Sequence, residues 1–264
     1  MSGLVVRGLT AGYRGREVLR GLDLGPLETG SVTALVGPNA AGKSTLLRAI
    51  AGLIPVTGSI RLGDDEIVGR DVRERAARIG FMPQTLPQRI SLSVFESVLV
   101  ALKASDLIGG AVATGEARGR VMSALARVDL AHRASDHLDR LSGGQRQLAS
   151  LAQALVREPS LLLLDEPTSA LDLRHQFAVM AMARELAREG RIVVVVLHDL
   201  GLAARWADRI VVLRDGVVRA AGAPESALTP DVLADTWGVD ARLVRLEGGE
   251  PHVAVRAITA TAGG

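Results

Sequence analysis

Two patterns of apolar and polar positions alternate along the chain and together predict an α/β fold. Runs of consecutive aliphatic residues at Leu161–Leu164 and Ile192–Leu197 predict strands that are buried on both faces. Helical spacing of apolar residues at Arg174–Arg188 and Leu200–Trp206 predicts a helix after each of these strands. Aliphatic strands that alternate with helices are typical of a parallel sheet that is covered on both sides.

The flanking regions predict smaller units around this sheet. Residues 1–80 favour short strands with glycine-rich turns between them, interrupted by one helix at Lys43–Ala51. These strands are predicted at Leu4–Leu9, Val18–Leu24, Ser31–Val36, Ser59–Leu62 and Arg78–Phe81. Further helices are predicted at Ser93–Leu102, Glu116–Val128 and Gly144–Val156, and further strands at Ile210–Leu213, Val217–Ala221, Ala241–Leu246 and His252–Ala257. We therefore expect a β-rich start, a helical insertion and a short C-terminal pair of strands.

Composition excludes several classes of protein. Of 264 residues, 48% are hydrophobic and 23% are charged, which is the balance of a globular protein and not of a disordered or collagen-like one. The absence of cysteine excludes disulfides and thiolate metal sites. No apolar run approaches the roughly 18 residues of a membrane-spanning helix, and the first residues do not follow the pattern of a secretory signal. We expect a cytosolic protein that does not itself cross a membrane.

The basic residues give no indication of a nucleic-acid partner. The formal net charge is only +2, and arginine supplies every one of the 31 basic residues except Lys43 and Lys103. The arginines are scattered and often flanked by acids, as in Arg73-Glu74-Arg75, whereas a duplex-binding protein usually has a clustered basic face. Solvated helix faces account for this pattern.

Residues 37–44 carry the clearest chemical motif. The segment Gly37-Pro38-Asn39-Ala40-Ala41-Gly42-Lys43-Ser44 fits the phosphate-binding pattern G-x-x-x-x-G-K-[ST] and lies between a predicted strand and a predicted helix. The N–H groups of such a loop bind phosphate, Lys43 can reach the β- and γ-phosphates, and Ser44 can ligate Mg²⁺. A glycine-rich turn without a ligand is disfavoured, because this composition gives roughly 0.002 chance matches. Ala40 argues against a left-handed backbone at its position.

A pair of acidic residues follows the buried strand Leu161–Leu164. Because ligands bind beyond the carboxyl ends of strands in a parallel sheet, we expect Asp165 to hold Mg²⁺ directly or through water. We expect Glu166 to polarise the water that attacks the γ-phosphate. Such a pair alone is most often a solvated strand end, but its position downstream of a phosphate-binding loop favours the catalytic interpretation.

The segment Leu141-Ser142-Gly143-Gly144-Gln145 precedes a predicted helix and has two interpretations. Ser142 can be a helix N-cap with the glycines as a flexible approach, or the N–H groups of the helix start can form a second phosphate site. A second site is redundant for one nucleotide unless it serves a nucleotide on another subunit. Together with the phosphate-binding loop and the acidic pair, this segment makes the chain resemble the ATPase subunits of ATP-binding cassette transporters, whose signature motif it matches letter for letter.

The resemblance covers nearly the whole chain and implies further roles. Tyr13 resembles the aromatic residue that stacks on adenine, although alone it fits a surface turn. Gln84 resembles the glutamine that contacts Mg²⁺ and water, although without the other motifs it would be interpreted as a loop residue. His198 resembles the histidine that contacts the γ-phosphate, although without the other motifs it would be interpreted as a structural histidine. The segment Ser169–Asp172 resembles the loop that crosses the dimer interface beside Glu166. The implied catalytic residues are Glu166, His198, Lys43 and Gln84. The implied Mg²⁺ ligands are Ser44, Gln84 and Asp165. The implied nucleotide-binding residues are Tyr13, Gly37, Pro38, Asn39, Ala40, Ala41, Gly42, Lys43, Ser44, Thr45, Ser142, Gly143, Gly144 and Gln145.

The resemblance also implies an architecture and partners. It implies a P-loop NTPase (RecA-like) parallel-sheet core with an N-terminal antiparallel β subdomain, a helical subdomain at about 85–157 and a C-terminal extension at about 238–264, within one nucleotide-binding domain at 1–264. Two copies are expected to form a head-to-tail dimer with ATP and Mg²⁺ at the shared sites. Integral membrane permease subunits would dock on this dimer at the cytoplasmic face of the cell membrane, with Gln84–Val98 receiving a permease helix. An extracytoplasmic substrate-binding protein is an indirect partner.

Four short segments resemble one importer branch in particular. They are Leu171–Gln176, Leu197–Leu200, Ala203–Asp208 and Gly238–Arg242, and they look like the branch that imports iron–siderophore, haem or cobalamin-type chelates. Another importer or exporter branch remains an alternative. A cassette ATPase of translation or DNA maintenance would be expected to have two cassettes or long coiled-coil insertions, and this chain shows one cassette and no sustained heptads. A nucleotide-binding regulator without turnover is disfavoured by the presence of both Glu166 and His198.

Overall fold

The computed structural model describes residues 3–84, 91–104 and 114–259. Residues 85–90 and 105–113 belong to the predicted helical subdomain and lie outside the described residues, as does the end of the predicted C-terminal extension from residue 260 onward. The segment Gln84–Val98, which we expect to receive a permease helix, is therefore described only in part.

The described residues form strands and helices in the following order. The strands are β1 (Gly3–Tyr13), β2 (Arg16–Glu28), β3 (Val32–Val36), β4 (Val56–Leu62), β5 (Asp65–Glu66), β6 (Ile79–Met82), β7 (Leu161–Asp165), β8 (Ile192–Val196), β9 (Arg209–Arg214), β10 (Val217–Gly222), β11 (Val239–Arg245) and β12 (Pro251–Ile258). The helices are α1 (Lys43–Ile50), α2 (Val72–Arg78), α3 (Val94–Lys103), α4 (Thr114–Arg127), α5 (Gly143–Leu155), α6 (Leu173–Arg188), α7 (Leu200–Trp206), α8 (Pro224–Ala227) and α9 (Pro230–Trp237).

A central sheet carries the fold. Its strand order is β10-β9-β3-β8-β7-β6, in which β9, β3, β8, β7 and β6 run parallel and β10 is antiparallel to β9. Every residue of β3, β7 and β8 is buried, because both faces of the sheet are covered. The predicted parallel sheet with aliphatic strands buried on both faces is confirmed.

Different units cover the two faces of the central sheet. On one face, the antiparallel sheet β2-β1-β4-β5 and helix α1 share an apolar core with the central strands. On the other face, α3, α4, α5 and α6 form a second core with the alternate side chains of the same strands. Strands β11 and β12 form a hairpin that packs against α7. No helix in the described ranges combines the length and apolar character needed to cross a membrane.

Capping side chains mark the starts of several helices. Asp172 caps α6 and Asp199 caps α7, each by accepting a hydrogen bond from the N–H group three residues on. Helices α8 and α9 begin with Pro224 and Pro230, at a position where the missing N–H group has no helical partner to lose. The sequence pattern did not predict α2, α8 or α9. Helix α2 buries none of its residues, and α8 and α9 bury only one and two, so none of the three shows a clear apolar stripe.

The two N-terminal strands are longer than the sequence pattern predicts. β1 has 11 residues and β2 has 13, and their pairing shifts register at several points. Gly8 and Gly21 have positive φ angles within these strands and bend the backbone without ending the pairing. Such irregular positions interrupt the alternation of apolar and polar residues, so the predicted strands covered only the regular part of β1 and β2.

The turn between β9 and β10 ties three parts of the fold together. Asp215 and Gly216 both have positive φ angles, the conformation of a two-residue hairpin turn. The Gly216 N–H donates to the carbonyl of Ala41 at 3.1 Å, and the Gly216 carbonyl accepts from the N–H of Arg20 at 3.3 Å. The turn therefore connects the central sheet to β2 and to the loop that precedes α1.

We expect Gly216→Ala to destabilise the fold more than Gly69→Ala. Both glycines have φ of 79°, so each alanine bears the cost of a left-handed backbone, about 1–2 kcal/mol. At Gly216 the new Cβ would also lie 1.9 Å from the carbonyl oxygen of Val18, whereas at the exposed Gly69 nothing lies within 4 Å. The overlap should lower the free energy of unfolding by about 1–3 kcal/mol more, measured by urea denaturation. Equal losses in the two variants would mean that the overlap with Val18 has no energetic effect.

Candidate functional site

The carboxyl ends of four adjacent strands bring the predicted site residues to one edge of the central sheet. Strands β3, β8, β7 and β6 are neighbours and run parallel, so they end at the same edge. Gly37 follows β3, His198 follows β8, Glu166 follows β7 and Gln84 follows β6. Residues that are distant in sequence therefore converge where parallel sheets bind their ligands.

The phosphate-binding loop, residues 37–44, joins β3 to α1 as predicted. Gly37 has φ of 149°, and a Cβ atom there would lie 2.1 Å from the carbonyl oxygen of Leu213, so the position requires glycine. Helix α1 begins after Gly42, and no side chain among the described residues caps its first turn. The N–H groups at the start of α1 are therefore available to an anion.

The tip of this loop differs from one expectation. Ala40 has φ of 63°, so its backbone is left-handed although alanine disfavours that region. Asn39 and Ala40 are exposed, and the next residue, Ala41, is buried with its N–H donating to the Pro38 carbonyl at 3.3 Å. The prediction for Ala40 was wrong, because the tight turn between two fixed elements outweighs a local cost of about 1–2 kcal/mol.

Lys43 lies inside the phosphate-binding loop. Its Nζ donates to the carbonyls of Gly37 and Pro38, both at 2.8 Å, and the residue is only 6% exposed. Burial lowers the pKa of the Lys43 ammonium from its ordinary value, and the negative charges of Glu166 and Asp165 partly oppose this shift. The ammonium therefore lies at the loop centre, close to both acids.

Ser44 and Asp165 provide paired oxygens beside the loop. The Ser44 hydroxyl donates to Asp165 Oδ1 at 2.8 Å, and Asp165 is completely buried. Its second oxygen, Oδ2, is buried with no hydrogen-bond partner among the described residues. Burial raises the pKa of the Asp165 carboxyl, and the Glu166 charge raises it further, while the Ser44 hydrogen bond lowers it. A buried carboxylate oxygen next to a hydroxyl is the oxygen set that Mg²⁺ prefers, so these residues fit that ion.

Glu166 lies at the centre of the site, and two predicted residues contact its carboxylate. His198 Nε2 lies 2.6 Å from Glu166 Oε1, and Gln84 Nε2 donates to Oε2 at 2.7 Å. The hydrogen bond of Gln84 is therefore made with Glu166 and not with Ser44 or Asp165. Glu166 and His198 also line a cavity of about 170 Å³. This arrangement fixes a carboxylate at the strand edge, facing space that can hold water.

Tyr13 lies at the end of β1 and is 40% exposed. Its hydroxyl accepts a hydrogen bond from Arg48 Nη1 at 3.2 Å. Because Arg48 belongs to α1, this bond holds the exposed ring next to the helix that begins at the phosphate-binding loop. Arg48 was not identified from the sequence. Its position one turn beyond Ser44 on a predicted helix could have indicated that it lies near the site.

The signature segment, Ser142–Gln145, forms the start of α5. Ser142 is the N-cap: its hydroxyl accepts from the Gln145 N–H at 3.2 Å, and its own N–H donates to Gln145 Oε1 at 3.0 Å. Within the described ranges, the side-chain hydrogen bonds of these residues do not reach the phosphate-binding loop. The N-cap interpretation is confirmed, and within one chain the structure does not join the segment to Lys43.

Gln147 contacts the site but was not identified from the sequence. It is buried in α5, and its Nε2 donates to the main-chain carbonyl of Glu166 at 2.6 Å. A signal was present, because Gln147 occupies a polar position on the apolar face formed by Leu148 and Leu151. A buried amide on a core-facing stripe must find hydrogen-bond partners.

Comparison with known sequences relates most of the chain to one family. A family model described as ABC transporter matches residues 21–169, which contain the phosphate-binding loop, the signature segment and both acids. The chain is 42% identical over 231 residues to the hemin import ATP-binding protein HmuV of Streptomyces coelicolor, which covers 87% of this chain and 81% of that protein. Relatives from other bacteria carry the same name.

Solved structures agree with this relation. A candidate metal-chelate type ABC transporter in an inward-facing conformation superposes with a TM-score of 0.79 and 28% identity, over 97% of each chain. A dimeric ATP-binding cassette in a post-hydrolysis state with ADP and Pi superposes with a TM-score of 0.76 and 29% identity, over 84% of this chain and 98% of that one. The predicted P-loop NTPase fold is confirmed by these similarities.

The environment of Asp165 predicts a pH-dependent gain in stability for Asp165→Asn. Because burial raises the folded-state pKa, the ionised carboxylate destabilises the fold, and the wild type gains stability as the pH falls through that raised pKa. Without nucleotide, Asp165→Asn should therefore melt at a higher temperature than the wild type at pH 7. The difference should shrink as the pH falls toward 3.8, the ordinary value. Asp64→Asn, at an exposed position, is the matched control; a lower melting temperature of Asp165→Asn at pH 7 would contradict the prediction.

Proposed function

The chain belongs to the ABC transporter family as an ATP-binding and ATP-hydrolysing subunit, and we propose that it powers the import of haem or a similar metal chelate. The catalytic part of the proposal depends on one observation, the placement of the Glu166 carboxylate between His198 and Gln84 at the edge of the sheet. The cargo part depends on the relatives and on the metal-chelate type transporter.

Glu166 is proposed as the group that activates the attacking water. Its Oε1 is bonded to His198 and its Oε2 to Gln84, so the carboxylate has a defined orientation toward the adjoining cavity. A carboxylate held in this way can accept the proton of a water molecule as the water attacks the γ-phosphate. His198 and Gln84 orient it, and His198 can also donate to a γ-phosphate oxygen.

The phosphate-binding loop is proposed to hold the phosphates. The N–H groups of the phosphate-binding loop, apart from Pro38, which has none, and those at the start of α1 can surround an anion, and the Lys43 ammonium can neutralise charge at the β- and γ-phosphates. Ser44 and Asp165 would hold Mg²⁺, which when bound stabilises the charge that develops on the phosphate oxygens. The side-chain oxygen of Gln84 can join Ser44 and Asp165 as a Mg²⁺ ligand, because the hydrogen bond of Gln84 to Glu166 uses its Nε2 and not this oxygen.

Tyr13 is proposed to stack on adenine. Its ring is partly exposed and is held beside α1 by Arg48, which places an aromatic face near the helix that starts at the phosphates. Base–aromatic stacking contributes about 1–3 kcal/mol in comparable nucleic-acid sites.

The shared-site arrangement explains the position of the signature segment. Ser142–Gln145 presents helix N–H groups, and among the described residues its side-chain hydrogen bonds do not reach the phosphate-binding loop of its own chain. A head-to-tail pair of chains would place this segment over the nucleotide of the partner chain, twice by two-fold symmetry. Dimeric cassettes among the similar structures support this proposal.

The cargo and the membrane partners follow from the relatives. The relatives named for hemin import match most of this chain and most of their own length. The metal-chelate type transporter matches 97% of the chain, whereas the cassette with ADP and Pi matches 84%. The metal-chelate type transporter therefore matches more of this chain than that cassette does, which supports the metal-chelate branch. We infer that the chain docks on permease subunits at the cytoplasmic face of the membrane and that an extracytoplasmic binding protein delivers the chelate.

Uptake of radiolabelled haemin tests the proposed function. In cells that lack this chain but keep its permease and binding protein, the wild-type chain should restore uptake. Glu166→Gln should lower ATP hydrolysis and uptake by at least ~10²-fold, because the water-activating carboxylate is lost.

Glu158→Gln is the matched control, since Glu158 is an exposed glutamate with the same φ of 54° outside the site. It should keep wild-type uptake. Restored uptake of a ferric siderophore or cobalamin without haemin would reassign the cargo within the metal chelates. Failure of the wild type with all three cargoes would overturn the import proposal.

Mixing two variants tests the shared site. Lys43→Ala and Ser142→Arg should each prevent ATP-dependent dimerisation, because each homodimer carries the lesion in both sites. In a mixed dimer, one site combines the intact phosphate-binding loop of one chain with the intact signature segment of the other. Sedimentation should therefore show partial recovery of the dimer in the mixture and no dimer with either variant by itself. No recovery with two folded variants would mean that the signature segment acts within its own chain.

A further inference from the structure

Gln147 joins helix α5 to the main chain of Glu166. The residue is 7% exposed, and its amide crosses from α5 to the segment that follows β7. Its Nε2 donates to the Glu166 carbonyl at 2.6 Å, and its Oε1 accepts from the N–H of Ala170 at 3.2 Å. One buried side chain therefore holds both ends of the loop from Glu166 to Ala170.

The main chain of Glu166 has an unusual conformation that needs such support. Its φ is 54°, in the left-handed region that a glutamate occupies at a cost of about 1–2 kcal/mol. Its carbonyl accepts three hydrogen bonds, from Gln147, from the hydroxyl of Ser169 at 3.1 Å and from the N–H of Ser169 at 3.3 Å. Because the main-chain conformation at Glu166 determines where its side chain begins, these bonds also determine where the carboxylate lies.

The start of α5 is packed against the same loop. A Cβ atom at Gly144 would lie 3.1 Å from the Ala170 carbonyl oxygen and 3.1 Å from Leu171 Cδ2, so the helix start and the loop are in close contact. Gly144 belongs to the signature segment, and Gln147 follows it by one turn on the same helix. A change in the position of α5 must therefore move the Glu166 main chain or break the Gln147 bonds.

We propose that Gln147 is a positioning residue that aligns the Glu166 carboxylate with the signature helix through the Glu166 main chain. This inference rests on the proposed role of Glu166 in hydrolysis. When the signature segment of a chain is seated on the nucleotide of its partner, Gln147 holds the Glu166 of its own chain in the orientation that hydrolysis requires. Gln147 touches neither the nucleotide nor the water and acts on the rate through Glu166.

The experiment compares ATP hydrolysis by the purified full chain and its Gln147→Met variant. Methionine keeps the length and apolar stem of glutamine but makes neither hydrogen bond. The kcat should fall by at least about tenfold, because a misaligned general base loses most of its effect. The KM for ATP, and ATP binding measured with Mg²⁺, should stay within about twofold, because the phosphate-binding loop is unchanged.

Gln176→Met is the matched control. Gln176 also fastens this loop with its amide, donating to the carbonyls of Leu171 at 3.0 Å and Thr168 at 3.2 Å. It belongs to α6 and lines the same cavity as Glu166, but among the described residues its hydrogen bonds do not reach the Glu166 carbonyl. This variant should keep most of the wild-type kcat. An equal loss of kcat in both variants would mean that general loosening of the loop is responsible, which would overturn the proposal.

A double variant separates positioning from a purely structural role. In the Glu166→Gln background the carboxylate is already absent, so adding Gln147→Met should lower the residual rate by less than about twofold. A full additional loss would overturn the proposal. If Gln147→Met does not fold, Gln147→Asn gives the same comparison, since the shorter amide cannot span both partners; wild-type kcat in either folded variant would also overturn it. A near-normal rate for Glu166→Gln alone would instead contradict the proposed function.

Discussion

Parallel pairing of β3, β8, β7 and β6 is the constraint on which the rest of the site depends. Hydrogen bonding in a fixed register aligns the carboxyl ends of these strands. The chain must leave the sheet at this edge, so the residues that follow each strand meet there regardless of their distance in sequence. The loop, the acids, the histidine and the glutamine are thus assembled by backbone geometry, and their side chains need only short adjustments to make contact.

The same constraint explains what could be predicted from the sequence. Strands that are aliphatic on both faces leave one arrangement, a covered parallel sheet, and the acids after β7 then have a defined place. The placement of Lys43, Asp165 and Glu166 could therefore be anticipated. The contacts of Gln147 and Arg48 could not, because they depend on how α5 and α1 are rotated and shifted against the sheet. The length of β1 and β2 was also missed, since their irregular pairing leaves no regular period to read.

Some of the local costs in this structure lie at the site. Asp165 has a buried oxygen without a partner among the described residues, and both Glu166 and Ala40 have left-handed backbones. Each feature opposes stability, and each lies where charge or phosphate is to be bound. Costs of this kind are expected at the site of an enzyme, because groups that are fully satisfied by the protein cannot also bind a substrate.

The Asp215-Gly216 turn has a consequence for the thermodynamics of nucleotide binding. Through Ala41 it ties the phosphate-binding loop to the central sheet, and through Arg20 it ties both to the antiparallel sheet that carries Tyr13. The surfaces proposed for base and phosphate are therefore already ordered relative to each other. A ligand that binds preordered groups loses less conformational entropy of the protein than one that must fold a loop around itself. Affinity for the nucleotide thus depends in part on a hairpin turn that lies outside the binding loop.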